Sequence, residues 1–177
     1  MADWVLAVER AYVAAATGTA PRSPAGDRDR ALAAIGAVAS RYLAVGTPRS
    51  FGLIADDARV AALSCEAHRT WFQLRDVRIA GTSLPDARAV AIDEALACDI
   101  VCVHVPIAIA ASQLRRGTHV NALAAVTLDD DLQRLAVITR EEPGLGELAA
   151  GLVDGRQLDE ITVFVAGTAE LALAAVS

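Results

Sequence analysis

Residues 51–80 read FGLIADDARVAALSCEAHRTWFQLRDVRIA, and the change of rhythm inside this stretch decides the fold. Phe51–Ile54 and Asp76–Ala80 are short runs of β type. Between them, residues 58–70 follow a helical spacing, opened by Asp56 and Asp57, acids that favour a helix start. Strand, helix and strand in that order make a βαβ unit with parallel strands.

Outward from this unit the alternation continues. Runs of β type stand at 100–105 (IVCVHV), 118–123 (THVNAL), 134–139 (RLAVIT) and 160–165 (EITVFV). Helical segments are expected at 85–97, 111–115, 144–153 and 167–176. The runs at 100–105 and 161–165 are apolar at nearly every position, as strands covered on both faces are. Upstream, residues 3–17 place Val5, Val8, Tyr12 and Ala15 at helical spacing, with Asp3 at the start as a cap. A Pro/Gly-rich connector fills 18–30, and residues 31–44 (ALAAIGAVASRYLA) form a helix apolar nearly all round and so buried. The expected architecture is α/β: a Rossmann-like, doubly wound, mostly parallel six-stranded sheet with two N-terminal helices. Residues 1–30 would be an N-terminal helix and connector, and residues 31–177 the Rossmann-like domain.

Composition narrows the chemistry. The 177 residues are 54% hydrophobic and 21% charged, enough for a packed core. All 16 basic residues are arginine, which excludes a Schiff-base lysine, a P-loop lysine and a lysine general base. A net charge of −6 argues against a nucleic-acid partner, because phosphate demands a basic face. Runs without charge are too short for a membrane span, and MADWVLAVER lacks the basic-then-apolar pattern of a secretory signal. Three cysteines at 65, 98 and 102 do not make a disulfide framework, so a reduced, cytoplasmic protein is expected.

Four segments resemble the ornithine cyclodeaminase/mu-crystallin family: ALAAIGAVASRYLA (31–44), RSFGLIADDARVAALSCEAHRTW (49–71), CDIVCVHVP (98–106) with LRRGTHVNALAAV (114–126), and LVDGRQLDEITVFVAGTAELALAAV (152–176). Residues 3–20 are similar to the family's first helix. The resemblance implies an NAD(P)-binding Rossmann domain, and a substrate domain between the first helix and the alanine-rich helix. Only the connector 18–30 stands there, so residues 1–30 read as the remnant of a removed substrate domain, which in the family carries a substrate-holding lysine. Arg30 lies one place from the position, Ala31, of a family arginine.

The resemblance also exposes departures. At the glycine-rich phosphate loop the chain has Ala55, Asp56, Asp57 and Val60. A carboxylate about 4 Å from a phosphate charge costs ~1 kcal/mol in water and ~4 kcal/mol at a protein surface. After the second strand, Gly81-Thr82-Ser83 offers no acid for a ribose diol and no arginine for a 2′-phosphate. Val126 stands where the family's catalytic aspartate would be. These departures set the expectation of no NAD(P), no other cofactor and no catalytic residue.

Other constellations read as structural. Asp129–Asp131 cap a short helix, and Glu141-Glu142-Pro143 is a solvated turn. His68 sits late in a helix, where the dipole suits it, and His119 belongs to its strand. Cys98, Cys102 and His104 lack a fourth ligand at zinc-like spacing, so no metal is expected. Cys102 with His119 on adjoining strands is a candidate nucleophile pair, without a visible oxyanion arrangement. The carboxyl ends of the strands, where ligands bind in such sheets, carry an apolar rim: Pro106, Ile107, Ile109, Ala124, Val126 and Val165. It is either ordinary core or a face for a partner protein, a peptide or a hydrophobic ligand. The leading expectation is a non-catalytic binding or accessory protein, in a homo-oligomer or hetero-complex. The alternatives are an NAD(P)-dependent imine- or amino-acid-converting enzyme with a rebuilt site and one chain of a split enzyme.

Overall fold

A computed structural model describes residues 2–18, 26–153 and 159–176. The elements in chain order are α1 (Asp3–Ala16), α2 (Arg28–Leu43), β1 (Ser50–Ile54), α3 (Ala58–His68), β2 (Asp76–Ala80), β3 (Arg88–Ala89), α4 (Ile92–Leu96), β4 (Ile100–Val103), β5 (Ala108–Ile109), β6 (His119–Ala122), β7 (Thr127–Leu128), α5 (Asp130–Leu135), β8 (Val137–Arg140), α6 (Gly146–Ala149), β9 (Thr162–Val165) and α7 (Glu170–Ala175). Seven strands form one sheet in the order β3-β2-β1-β4-β6-β9-β8, every pair parallel. The strand order reverses between β1 and β4, the topological switch point of a doubly wound sheet.

The architecture is the expected one, with small differences. The seventh strand is β3, two residues long, inside the segment expected as a helix over 85–97; the helix there is only Ile92–Leu96. Pro85 and Asp86 instead form a turn, closed by the Ala87 amide on the Leu84 carbonyl at 3.3 Å, so the helix cannot begin there. The two-stranded parallel ladder of β5 and β7 is not legible in sequence, because two residues carry no periodicity. Asp3 lies in the first turn of α1 and makes no capping hydrogen bond; the N-cap is Ala2. Most of the connector 18–30, and Gly155-Arg156 of the C-terminal resemblance, lie outside the described residues.

Two apolar clusters line the two faces of the sheet. One packs α1, α2 and α7 over β1 and β4; the other holds Ile54, Leu96, Val101, Val103, Val120, Leu132 and Val163 on the opposite face. Alanine explains how α2 fits: ten of its residues are buried, seven of them alanine or glycine or serine at 31, 33, 34, 36, 37, 39 and 40, so helices and sheet approach closely all round it. The same closeness holds at Gly52 in β1, where a Cβ would lie 2.0 Å from the carbonyl oxygen of Ala95 and 3.3 Å from the Cβ of Cys98. Gly52→Ala is therefore expected to cost about 3 kcal/mol or more by forcing α4 off the sheet. For a chain of this size that lowers the thermal midpoint by roughly 6–12 °C; a melt within about 2 °C of the parent would refute the close approach.

Candidate functional site

At the switch point, the turn after β1 and the turn after β4 face each other. The amide of His104 donates to the carbonyl of Ile54 at 2.8 Å, tying the two strand ends together. After β1, Asp57 is the N-cap of α3: its Oδ1 accepts from the main-chain N–H of Arg59 at 2.7 Å and of Val60 at 3.2 Å. Ala55 is buried, whereas Asp56 and Asp57 are exposed. The Arg59 guanidinium, half-exposed, forks onto Asp27 and Asp29 at the start of α2. Beside this turn Gly81 has φ +94°, and a Cβ there would lie 2.5 Å from the carbonyl oxygen of Ala55, so the turns after β1 and β2 are in backbone contact.

Beneath these turns runs a chain of polar groups, all buried except the half-buried His104. The Nε2 of His104 lies 2.7 Å from Ser64 Oγ, and the carbonyl of Ser64 accepts from Nδ1 of His68 at 2.8 Å. His68 Nε2 is 3.0 Å from Ser40 Oγ, and Asn121 Nδ2 donates to the same oxygen at 2.8 Å. Asn121 Oδ1 meets His119 Nε2 at 3.0 Å, and His119 Nδ1 meets Thr162 Oγ1 at 2.8 Å. Burial holds all three imidazoles neutral, lowering His68 to about 3 and His104 and His119 to about 4. The helix-dipole reading of His68 is thus corrected: it is fully buried and uncharged, donating to its own helix.

The cysteine readings are resolved by the same network. Cys102 Sγ lies 3.5 Å from His68 Nε2 and 3.3 Å from Asn121 Nδ2, and burial drives its thiol far above the ordinary value. The imidazole of His119 is bonded on both nitrogens to Asn121 and Thr162 rather than to this thiol, and a buried protonated thiol is inert as a nucleophile. Cys98 packs in the opposite cluster, so Cys98, Cys102 and His104 do not converge.

The rim divides. Pro106 is exposed; Ile107, Ala124, Val126 and Val165 are half-buried; Ile109 is buried, because β5 and β7 pair there. Ile109 is core and unavailable to a partner. Asp129 does cap its helix, accepting from Leu132 N–H at 2.7 Å. Glu141, expected in a solvated turn, is buried instead. Its Oε1 accepts from the Tyr12 hydroxyl, and its Oε2 accepts from the amides of Gly167 at 2.6 Å and Ala169 at 3.1 Å. Burial, then the Glu141 charge, pushes the Tyr12 phenol well above its usual value. A cleft of about 270 Å³ opens beside this carboxylate at the ends of β8 and β9, lined by Arg140, Glu142, Ala166 and Thr168. Sequence carries no period that would flag Glu141, and the spacing around His104 suggests a metal ligand alone.

No family model matches the chain, and no curated protein matches it in sequence. Solved structures do. An archaeal alanine dehydrogenase dimer with bound NAD superposes with a TM-score of 0.67 at 24% identity, over 81% of this chain and 60% of that one. This is a Rossmann-type fold. The iminosuccinate reductase of Paracoccus denitrificans, in complex with NAD+, gives a TM-score of 0.68 at 21% identity, covering 82% and 61%. A lysine cyclodeaminase, solved for its recognition of L-lysine, L-ornithine and L-2,4-diaminobutyric acid, gives 0.64 at 19%, covering 82% and 57%. The resemblance drawn from the sequence is borne out in the fold, and the chain spans about 60% of the length of these neighbours.

These neighbours correct the expectation of no cofactor: two of the three were solved with NAD in a sheet of this kind. The reading from side chains at 55–60 fails for a physical reason. A dinucleotide fold also offers main-chain N–H groups at the start of its first helix; here those of Arg59 and Val60 are bonded to the exposed carboxylate of Asp57.

Two outcomes are expected. Each of the three histidines titrates near 6.5 when unfolded and near 3 or 4 when folded, so the unfolded state binds more protons as pH falls below about 6.5. Stability present at pH 7 therefore declines toward pH 4, by up to about 1.4 kcal/mol per pH unit for each histidine. Urea midpoints at pH 7 and pH 5 check this, and equal midpoints would exclude neutral buried imidazoles. Glu141→Ala leaves two amides and a phenol without their acceptor and should cost about 3 kcal/mol, with Glu141→Gln costing less. Equal losses would show that the carboxylate is not what holds α1.

Proposed function

We propose that this chain is a dinucleotide-binding domain of ornithine cyclodeaminase-like kind, serving as a binding or accessory protein, with NAD(H) as the ligand of the switch-point crevice. The observation that carries this reading is the union of a dinucleotide fold with strand ends poor in acid–base groups. Among the described residues, the segments following β4, β6 and β9 as far as Pro106, Val126 and Thr168 hold one titratable side chain, His104. Asp129 is engaged as a helix cap.

The main chain fits the dinucleotide. The α3 amides of Arg59 and Val60 would hold the pyrophosphate once Asp57 turns aside, and the backbone contact at Gly81 keeps the neighbouring turn low. Losing the cap costs about 1 kcal/mol. The half-exposed part of the rim, Pro106, Ile107, Ala124, Val126 and Val165, is the face offered to a partner, a peptide or an apolar ligand. Self-association is the simplest form of that use.

A second reading, a reductase or dehydrogenase of the sort its structural neighbours are named for, is favoured by the polar group His104 in the crevice. Bound dinucleotide would then supply hydride transfer. Loss of NADH absorbance in the presence of cyclic or acyclic imino acids would select this reading; binding without turnover selects the first.

Both readings require saturable stabilisation of the fold by NAD(H) or NADP(H), about 2.7 kcal/mol at 100 times the dissociation constant. Asp57→Gly removes the competing carboxylate and should tighten NAD(H) binding about tenfold, which corresponds to ~1.4 kcal/mol. Calorimetric titration that finds the variant weaker than the parent would sink the assignment of the phosphate to the α3 amides.

A further inference from the structure

We propose that a cavity at the amino-terminal end of the sheet binds a small aromatic phosphate monoester, its phosphate held between Arg49 and Arg75 and its ring against Trp71 and Phe72. The cavity holds about 490 Å³, within the ordinary range for small-molecule sites, and Thr47 and Gln73 complete its polar lining. It stands at the opposite end of β1 from the switch-point crevice, so it is independent of the NAD(H) reading.

The two arginines are the first argument. The amides of Arg75 and Asp76 both donate to the carbonyl of Arg49, at 2.9 and 3.2 Å, where the register Ser50↔Asp76 begins. Arg49 and Arg75 are thereby neighbours, and both line the same cavity. Like charges side by side on adjoining strands are destabilising. Neither guanidinium has an ion pair or a hydrogen bond among the described residues. The acids around them are engaged elsewhere. Asp99 accepts from the amides of Arg49 and Ser50 and from Arg115, Asp76 from Arg78, and Glu9 from Arg41 and Tyr42. In a chain of net charge −6, this is a local excess of positive charge that the fold does not use.

The aromatic wall is the second argument. Trp71 and Phe72 are half-buried beside the exposed arginines, so the cavity joins an apolar surface to a cationic one. A third guanidinium, that of Arg41, lies 5.0 Å from the centre of the Trp71 ring and adds to the positive field while paired with Glu9. Two guanidinium forks match the oxygens of a doubly charged phosphate, where a single carboxylate would satisfy only one. A flat ring attached to that phosphate gains contact with the aromatic wall. The chemistry of the lining is thus that of a dianionic head on an aromatic body.

The test uses the full chain and phenyl phosphate. Calorimetry should show saturable binding that weakens at least tenfold in Arg49→Gln and in Arg75→Gln and is unchanged in Asp57→Gly. Benzoate, with one charge, and inorganic phosphate, with no ring, should each bind at least tenfold more weakly than phenyl phosphate. In Trp4→Phe, which leaves Trp71 as the single tryptophan, phenyl phosphate should change the fluorescence along the same saturation curve. Both glutamine variants should melt at or above the parent, since each relieves the contact between like charges. A lower midpoint in both would assign the arginines to the fold and overturn the proposal. So would the absence of saturable binding, unchanged affinity in both glutamine variants, or loss of binding in Asp57→Gly. Benzoate equal to phenyl phosphate would overturn the dianionic head, and inorganic phosphate equal to it would overturn the aromatic body.

Discussion

The core of this protein depends on keeping a line of buried polar groups fully paired between its helices and its sheet. Ser40 Oγ is the junction: it lies within hydrogen-bond distance of His68 on α3 and of Asn121 on β6. Each member would cost about 1–3 kcal/mol if buried without a partner, so α2, α3 and β6 are fixed to one another in one register. Thr162, whose hydroxyl lies within hydrogen-bond distance of both His119 Nδ1 and the carbonyl of Leu43 at the end of α2, extends the line to β9. Apolar packing alone would allow an alanine-rich helix such as α2 to slide, because its small side chains present few distinct knobs. The polar line removes that freedom.

Glu141 does for α1 what Ser40 does for α2. Its carboxylate bridges the phenol of Tyr12 and two amides in the turn between β9 and α7. Charge-assisted hydrogen bonds of this kind are stronger than neutral ones, and they join the first helix to the last strands across most of the sequence. Tyr12, Val5 and Val8 then complete the apolar contact on the same side. The first helix is thereby an integral part of the sheet's cover, whatever lies in the segment between it and α2.

The strand and helix rhythm is legible because the sheet is parallel and covered on both faces, which writes uninterrupted apolar runs such as Ile100–Val103 into the sequence. Asp57 and Asp129 are legible as caps because capping is local. Glu141 and the His68–Ser40–Asn121 junction are not. Their partners lie far away in sequence, so Glu141 resembles any acidic turn residue and His68 any polar residue near a helix end. The mistaken expectation of no cofactor has a related origin. Side chains at 55–57 are visible in sequence, whereas the amides of residues 59 and 60, which are common to every helix start, are not.

The crevice therefore divides its labour along the strand order. On the β1 side the polar groups are main-chain amides, under a carboxylate that holds them in helical geometry and competes with any anion. On the β4 side is a neutral imidazole locked by Ser64. Beyond it the β5–β7 ladder buries Ile109 and leaves Ile107 and Val126 half-covered. Along this edge main-chain amides give way to an imidazole and then to an apolar shelf. This order of environments is set by the elements that end there: a helix N-terminus exposes amides, a strand end exposes whichever side chain comes next, and a second small ladder closes over the residues beyond it. The polar character of this edge is thus set chiefly at two positions, 57 and 104, on a frame fixed by contacts elsewhere.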